Sequence, residues 1–521
     1  MKFLYAFAEN KMNLKDTFTE IKDLLKLHNE WLLIHSSGKT FALQKDEIQL
    51  NFERGKILFS FLDDKGFQTW RVVEFKEKKS EILLELTRNF EKEREKIRLV
   101  PRISAKELDE SIELARLEKA NKIASMLVSE IENIKLVRVA LNKESGRFAQ
   151  IFFENLSGKQ TAALADVSDT ATPEILVSTA ILWLAKLQRR KKKPIETVWI
   201  LAEKKLLKKV RKLHALLREN WKEHIKLWEI SNFRFQISDS KIQNPKSGII
   251  ECSPLEIHHL WREKPKKISL TENTNKSQTA QEIIKLAPEK IDVLFTRQGE
   301  TLRFEGLPTA RVRKTLGAEK CWFGIEREKR ILNEKSREDF FDLVENLETY
   351  RRFDSPNKRH ALFELAPEAW LEAILRRNIK RLDANLILSP LYNQFRAEAG
   401  KIDLLALRTD GRLIVIELKV APDREMIFQA IDYWRKIELN RRKGNLQQAK
   451  LFGDLLIADA PTICYLVAPT LSFHRDFNFL AQTVAPEIEI YRFDLAENWR
   501  ENLRVLRREK ITNLTQEIRK I

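Results

Sequence analysis

The sequence predicts a multidomain α/β protein, mixed α+β in its layering, in which β-rich and mixed α/β domains precede a C-terminal core of order αβββαβ. Three observations predict it. The 521 residues, 43% of them hydrophobic and 9% aromatic, give room and apolar matter for roughly three to five domains of ordinary size. In the first 120 residues, short runs alternate apolar with polar side chains between turn signals such as SSGK and DDKG, the mark of half-buried strands. From Pro367 onward, helical and strand periods alternate in a regular succession.

In chain order, residues 1–120 form a β-rich domain. It opens with an amphipathic helix around Asp16–His28, continues through the strands WLLIHS, TFALQ, EIQLNF, KILFSFL, TWRVVEF and EILLELTRNF, and ends in a helix from Ser104 that runs to about Ile134. Residues 121–261 form a mixed α/β domain. Its strands LVRVALN, RFAQIFFEN and QTAALADV precede a helix from Pro173, the strand TVWILA, a basic helix from Glu203 and the strand IKLWEI. That order is similar to the ribonuclease H-like one, but LVRVALN carries no acid where a metal ligand would be needed, so no chemistry is assigned to it. The polar text REKPKKISLTENTNKSQTAQ marks residues 262–284 as a linker or long loop. A small connecting region, 285–352, holds four strands and the helix SREDFFDLVENLETYRRF, and the last domain is 353–521. No internal repeat is visible.

Ninety-four Lys and Arg against 76 Asp and Glu leave a formal charge of +18, which draws polyanions, and nucleic acid is the leading expected partner. Cys252, Cys321 and Cys464 lie too far apart for a disulfide framework or a zinc set. The N-terminus lacks a signal-peptide pattern, and the longest apolar run, ILVSTAILWLA, is shorter than the ~20 residues a bilayer needs. A cytoplasmic protein with no membrane segment is the expectation.

The stretch GKIDLLALRTDGRLIVIELKV, Gly400 to Val420, sets Asp403, Glu417 and Lys419 inside two otherwise apolar strands. If Thr409-Asp410-Gly411 is a three-residue turn closed by a left-handed glycine, 408 pairs with 412 and 403 with 417. Alternation then puts Asp403, Glu417 and Lys419 on one face, with Ile416 and Leu418 on the other. Two acids side by side at low dielectric repel by several kcal/mol unless a cation lies between them. Hard oxygen ligands favour Mg²⁺ or Mn²⁺, and beside that ion Lys419 would orient or deprotonate a water or stabilise transition-state charge.

Asp403 followed by Glu417-Leu418-Lys419, in an αβββαβ order, resembles the PD-(D/E)XK nuclease superfamily, and within it the catalytic domain of NucS-type endonucleases. The likeness rests on GKIDLLAL, the Glu-x-Lys, Gln429 with Tyr433 one helical turn on, and EAWLEAIL in the preceding helix, spanning Pro367 to Phe493. It implies a restriction-endonuclease-like core that hydrolyses DNA, single-stranded, branched or mismatched, with Mg²⁺ or Mn²⁺ held by Asp403, Glu417 and Glu368. Lys419 would handle the nucleophile, and Gln429 and Tyr433 would position the site. Glu368 is preferred to Glu372 as the helical acid. Two features depart from the pattern: Val-Ala-Pro-Asp-Arg follows Lys419 where the family usually runs basic, and the first 350 residues do not resemble its small N-terminal DNA-binding domain. Arg396, Lys401, Arg424, Arg435, Arg441 and Arg442, near Tyr392 and Phe395, are the candidate nucleic-acid contacts. The alternatives are a nuclease fold that binds without cutting and a restriction or defence effector; a homodimer is one assembly left open.

Overall fold

A computed structural model describes residues 14–511 except 36–38, 64–65, 79–80, 89–90, 92, 103–104, 191–192, 232–247, 266–267, 269–274, 297–298, 316–317, 326–328 and 390–402. Among the described residues, thirteen α-helices and four β-sheets make a mixed α/β, multidomain protein. No helix among them is long and apolar enough to cross a membrane. The chain separates into two compact units: Met1–Thr172 with Arg190–Lys204 and Trp228–Glu251, and Pro173–Arg189 with Lys205–Leu227 and Cys252–Ile521.

The first unit begins with the amphipathic helix Leu14–Lys26, which buries Ile21 and Leu25 against an antiparallel sheet. That sheet has the order Thr40–Gln44, Glu30–His35, Glu93–Pro101, Glu81–Arg88, Gly66–Lys78, Lys56–Asp63, Ile48–Glu53. Glu93–Pro101 was not expected as a strand, because its first half, EREK, is all charge. Its acids find cross-strand partners instead, Glu93 to Arg88 at 2.5 Å and Glu95 to His35 at 3.1 Å, while Ile97 and Leu99 reach the core.

The helix Ala105–Glu130 follows. It lays Ala120, Ile123, Ala124 and Leu127 on Ile151, Phe153, Ala163 and Ala165 of a second sheet. Across that sheet the strands run Ile134–Leu141, Phe148–Asn155, Gln160–Asp166, Val198–Glu203, Ile225–Ser231, Gly248–Cys252, in chain order. The first three are antiparallel and the fourth is parallel to the third.

In the second unit the helix Gln278–Leu286, capped by Ser277, packs on a five-stranded antiparallel sheet running from Ile291–Thr296 to Arg330–Ile331. The helix Arg337–Tyr350 buries Phe340, Val344 and Leu347 on the same core. Just beyond it, the fully buried guanidinium of Arg351 donates to the carbonyls of Glu305, Leu362, Leu365 and Ala366 at 2.6–3.3 Å. Burial pulls its pKa down to about 10. Four carbonyls on one planar cation fix the chain where the next helix, Pro367–Arg377, begins.

The last sheet has the order Leu386–Leu388, Leu404–Arg408, Leu413–Leu418, Ile463–Pro469, Glu489–Leu495, Val505–Lys510. Its first three strands are antiparallel, the next two join in parallel, and the last returns antiparallel. Strands buried on both faces read as continuous apolar runs, as ICYLVAP does. One face carries Leu404, Ala406, Ile414, Ile416 and Leu418 under Trp370, Leu371 and Leu375 of the Pro367–Arg377 helix. The other carries Leu405, Leu407, Leu413 and Val415 under Ile437 of the helix Met426–Arg442. The helix Phe477–Gln482 connects the two parallel strands that follow.

The order of the 105–252 region is similar to that of the chain's own C-terminal core. Both run helix, three antiparallel strands, helix, parallel strand, helix, strand and final edge strand.

Gly411 closes the C-terminal hairpin at φ +81°, and a Cβ there would lie 3.1 Å from Leu456 O and Ala458 N. Gly158, at φ +75° in the earlier hairpin, has open space where its Cβ would be. Gly411→Ala is therefore expected to destabilise its unit by roughly 1–3 kcal/mol, and Gly158→Ala by less. Urea midpoints of the two variants check the ranking.

Candidate active site

The turn sets the register. Arg408 N donates to Arg412 O at 2.8 Å, Gly411 N to Arg408 O at 2.8 Å, and Leu404 stands opposite Ile416. One step further along the same register places Asp403 across from Glu417, as the three-residue turn requires. The Asp403 carboxylate accepts from Leu418 N at 2.9 Å, which ties the end of one strand to the other. Lys419 N continues the parallel pairing by donating to Val467 O at 3.1 Å. Asp403, Glu417 and Lys419 alternate with Leu404, Ile416 and Leu418, so they belong to the face covered by the Met426–Arg442 helix.

Glu417 is 3% exposed. Burial, then the charge of Asp403, push its carboxyl well above the usual carboxylate range, although Lys419 lies 3.2 Å from its Oε1. Its Oε2 is buried, with no hydrogen-bond partner among the described residues. Burial works against the Lys419 ammonium, but Glu417, Glu368, Asp423 and Asp403 outweigh it and hold its pKa above the ordinary value. Lys419 Nζ lies 3.4 Å from Asp423 Oδ2 and 3.9 Å from Glu368 Oε2.

The two acids of the preceding helix go separate ways. Glu368, in its half-exposed first turn, reaches Lys419. Glu372 is buried and accepts from Arg303 at 3.2 Å; Arg303 also grips Asp292. Gln429 and Tyr433 share the site's face. The Gln429 Oε1 is a second buried acceptor without a partner among the described residues. Burial, followed by the charges of Glu417 and Asp403, raises the Tyr433 phenol above its usual pKa.

The proposed nucleic-acid contacts fare differently. Arg396 and Lys401, like Tyr392 and Phe395, fall outside the described residues. Arg424 donates to His474 Nε2 at 3.2 Å. Arg435 is buried between Asp432, at 2.8 Å, and Glu263, at 3.7 Å. Arg441 is held by Glu438 and Asp459 at 2.6–2.9 Å, and Arg442 by Glu438 at 2.8 Å, over the Trp261 ring. Arg435 and Arg441 thus serve internal ion pairs, each with an acid three residues earlier. Asp423 was missed by sequence reasoning; its signal was its place four residues after Lys419, in the loop that departs from the family's basic pattern.

Among the described residues, no three His, Cys, Asp or Glu side chains form a ready metal cage. What the site offers a divalent ion is the Asp403–Glu417 pair and an unsatisfied carboxylate oxygen. That suits Mg²⁺, which commonly takes one or two carboxylates and fills its other positions with water and phosphate. A buried acceptor without a donor calls for a cation or an ordered water.

No family model matches this chain, and no curated protein does. One solved structure, EndoMS in apo form, is similar over 38% of this chain and 90% of its own, at 11% identity and a TM-score of 0.15. A likeness that loose carries no argument about fold or activity.

The raised Glu417 pKa fixes a sign. A carboxyl that holds its proton more tightly folded than unfolded contributes stability below its unfolded value of 4.5, and that contribution is lost as pH rises through the folded value. Glu417→Gln is therefore expected to raise the melting temperature of metal-free protein at pH 7.5, with the gain shrinking toward zero below pH 4.5. Thermal melts of parent and variant across that range check it.

Proposed function

We propose that the C-terminal core is a divalent-metal-dependent endonuclease that hydrolyses phosphodiester bonds in DNA. The observation that carries this reading is the cross-strand pair Asp403 and Glu417, with a buried unsatisfied oxygen and with Lys419 3.2 Å from the partner oxygen. The motif's resemblance to the PD-(D/E)XK superfamily supports it, and the charge of +18 suits a polyanionic substrate.

Asp403 and Glu417 would hold Mg²⁺ or Mn²⁺, with Glu368 at the rim of the same cluster. When bound, such an ion neutralises phosphoryl charge and lowers the pKa of a water. Lys419, kept protonated by its carboxylate neighbours, would stabilise the charge that gathers on the phosphoryl oxygens, which fits an ammonium better than the role of base. Gln429, whose free oxygen accepts, would orient a water or an amine of the substrate. Tyr433, whose phenol is raised above its usual pKa by burial and then by the charges of Glu417 and Asp403, would donate its hydroxyl proton to a hydrogen bond. In the net reaction, water's oxygen bonds to phosphorus, one P–O bond to sugar breaks, and the leaving oxygen takes up a proton.

Asp403→Ala and Lys419→Ala are each expected to lower Mg²⁺-dependent cutting by about 10²–10³-fold or more while DNA binding persists. Labelled single-stranded, branched and mismatched oligonucleotides, with Mg²⁺ or Mn²⁺, provide the assay. Both variants cutting at the parent's rate would overturn the assignment; a parent that binds with a steep salt slope and never cuts would mark a binding protein.

A further inference from the structure

The topological match between 105–252 and the C-terminal core extends to single residues. In the earlier hairpin, Asn155 N donates to Lys159 O at 3.1 Å and Gly158 N to Asn155 O at 2.9 Å. These are the two bonds that Arg408, Gly411 and Arg412 make, and in both turns the third loop residue is a left-handed glycine. The offset is 253 residues, from Asn155 to Arg408, and it also separates the starts of the following helices, Pro173 and Met426. The faces correspond as well. Ile151, Phe153, Ala163 and Ala165 lie under the preceding helix, as do their counterparts Leu404, Ala406, Ile416 and Leu418.

At this offset Asp403 corresponds to Gln150, Glu417 to Leu164, Lys419 to Asp166, Gln429 to Leu176 and Tyr433 to Ala180. Gln150 and Leu164 face each other across the strands, as the two acids do in the later copy. An amide opposite a fully buried hydrocarbon has no charge with which to hold a divalent cation. Asp166 accepts from Ser168 N, Ser168 Oγ and Ala171 N at 2.7–3.1 Å, bonds that build its own loop. The earlier copy keeps the fold and lacks the chemistry.

Elements of this copy that belong to the second compact unit meet their own counterparts there. The helix Pro173–Gln188 packs against Met426–Arg442. After the equivalent helices Lys204–His214 and Phe477–Gln482, the two chain segments pair at an antiparallel bridge, Leu217 with Val484. Arg218 N donates to Thr483 O at 2.9 Å and Ala485 N to Leu216 O at 2.8 Å, a reciprocal exchange. Trp221 stands edge-on to Phe479, and Leu216, Leu217, Val484 and Leu480 are buried. Like elements meeting like elements through reciprocal bonds is the signature of a two-fold interface, here spent within one chain.

We propose that this polypeptide is a fused nuclease pair in which only the C-terminal copy cuts, so that each binding event breaks one strand. The proposal rests on the nuclease reading above. A duplex that the parent cuts, carrying a different dye on each strand and present in excess, is the substrate. The expected early product has one cut strand; Asp403→Ala loses cutting of both strands at least a hundredfold, and Gln150→Ala cuts at the parent's rate. Sedimentation is expected to give the single-chain mass of 61.3 kDa without DNA, and the mass of one chain plus one duplex with it. Early products cut in both strands, a loss of less than a hundredfold in Asp403→Ala, loss of cutting in Gln150→Ala, or the mass of two chains would each overturn it. If the parent cuts nothing under any divalent cation, the nuclease reading fails instead, and the mass alone decides the pairing.

Discussion

The site depends on one constraint, the length of the turn between its two central strands. With three residues and a left-handed glycine at the third, Asp403 and Glu417 have to stand side by side on one face. A turn one residue longer or shorter would shift the pairing and send one carboxylate to the opposite, apolar face. The turn is itself held from outside, since Ala458 N donates to Gly411 O at 2.8 Å. The burial of Ile416 and Leu418 on the far side locks the same register from within. The acids are thus brought together by backbone geometry and core packing, at the expense of their mutual repulsion.

That repulsion explains the arrangement around Lys419. One ammonium faces Glu417, Asp423 and Glu368 at 3.2–3.9 Å, so carboxylates outnumber the cation. Burial, and then the charge of Asp403, push the Glu417 carboxyl well above the usual carboxylate range, and its second oxygen has no hydrogen-bond partner among the described residues. A cluster left in this state is poorly compensated as a structural feature, because burying unpaired charge costs several kcal/mol. It is well suited to a group that arrives with positive charge. Arg435 and Arg441 show the contrast: their acids Asp432 and Glu438 are fully matched, and both sets read as structural ion pairs.

Much of this was legible in the sequence, for identifiable reasons. Gly411 in an Asp-Gly turn between apolar runs gave the register, and the register gave the acid pair. The central strands read plainly because burial on both faces forces continuous apolar text. What stayed hidden was whatever charge disguised. Glu93–Pro101 and Val505–Lys510 are strands whose exposed sides are filled by ion pairs, among them Lys510 with Glu489 at 2.8 Å, so neither shows clean alternation. Leu307–Thr315 opens with a proline beside a register shift, which blurred its period. Arg435, Arg441 and Arg442 form a basic run in the sequence, but each lies three or four residues from an acid that it pairs with, Asp432 or Glu438. The internal repeat was invisible because, over residues 147–190, only Gly158, Val167 and Arg189 coincide with their counterparts Gly411, Val420 and Arg442.

Of these three coincidences, the glycine is the one for which the backbone gives a reason. Gly158 and Gly411 are demanded by a backbone angle that other residues reach only under strain, so the turn persists while the side chains around it drift. The acids are demanded by chemistry alone. With Gln150 and Leu164 where the later region has its carboxylate pair, the earlier sheet carries no paired acids that call for a cation. The helix Pro173–Gln188 buries Leu176, Val177, Ala180, Ile181, Leu184 and Leu187, where its counterpart has to accommodate Gln429 and Tyr433 above the acids. A buried pair of acids is a local loss of stability. The earlier region gives the corresponding position to packing: Leu164 is fully buried where Glu417 stands in the later one.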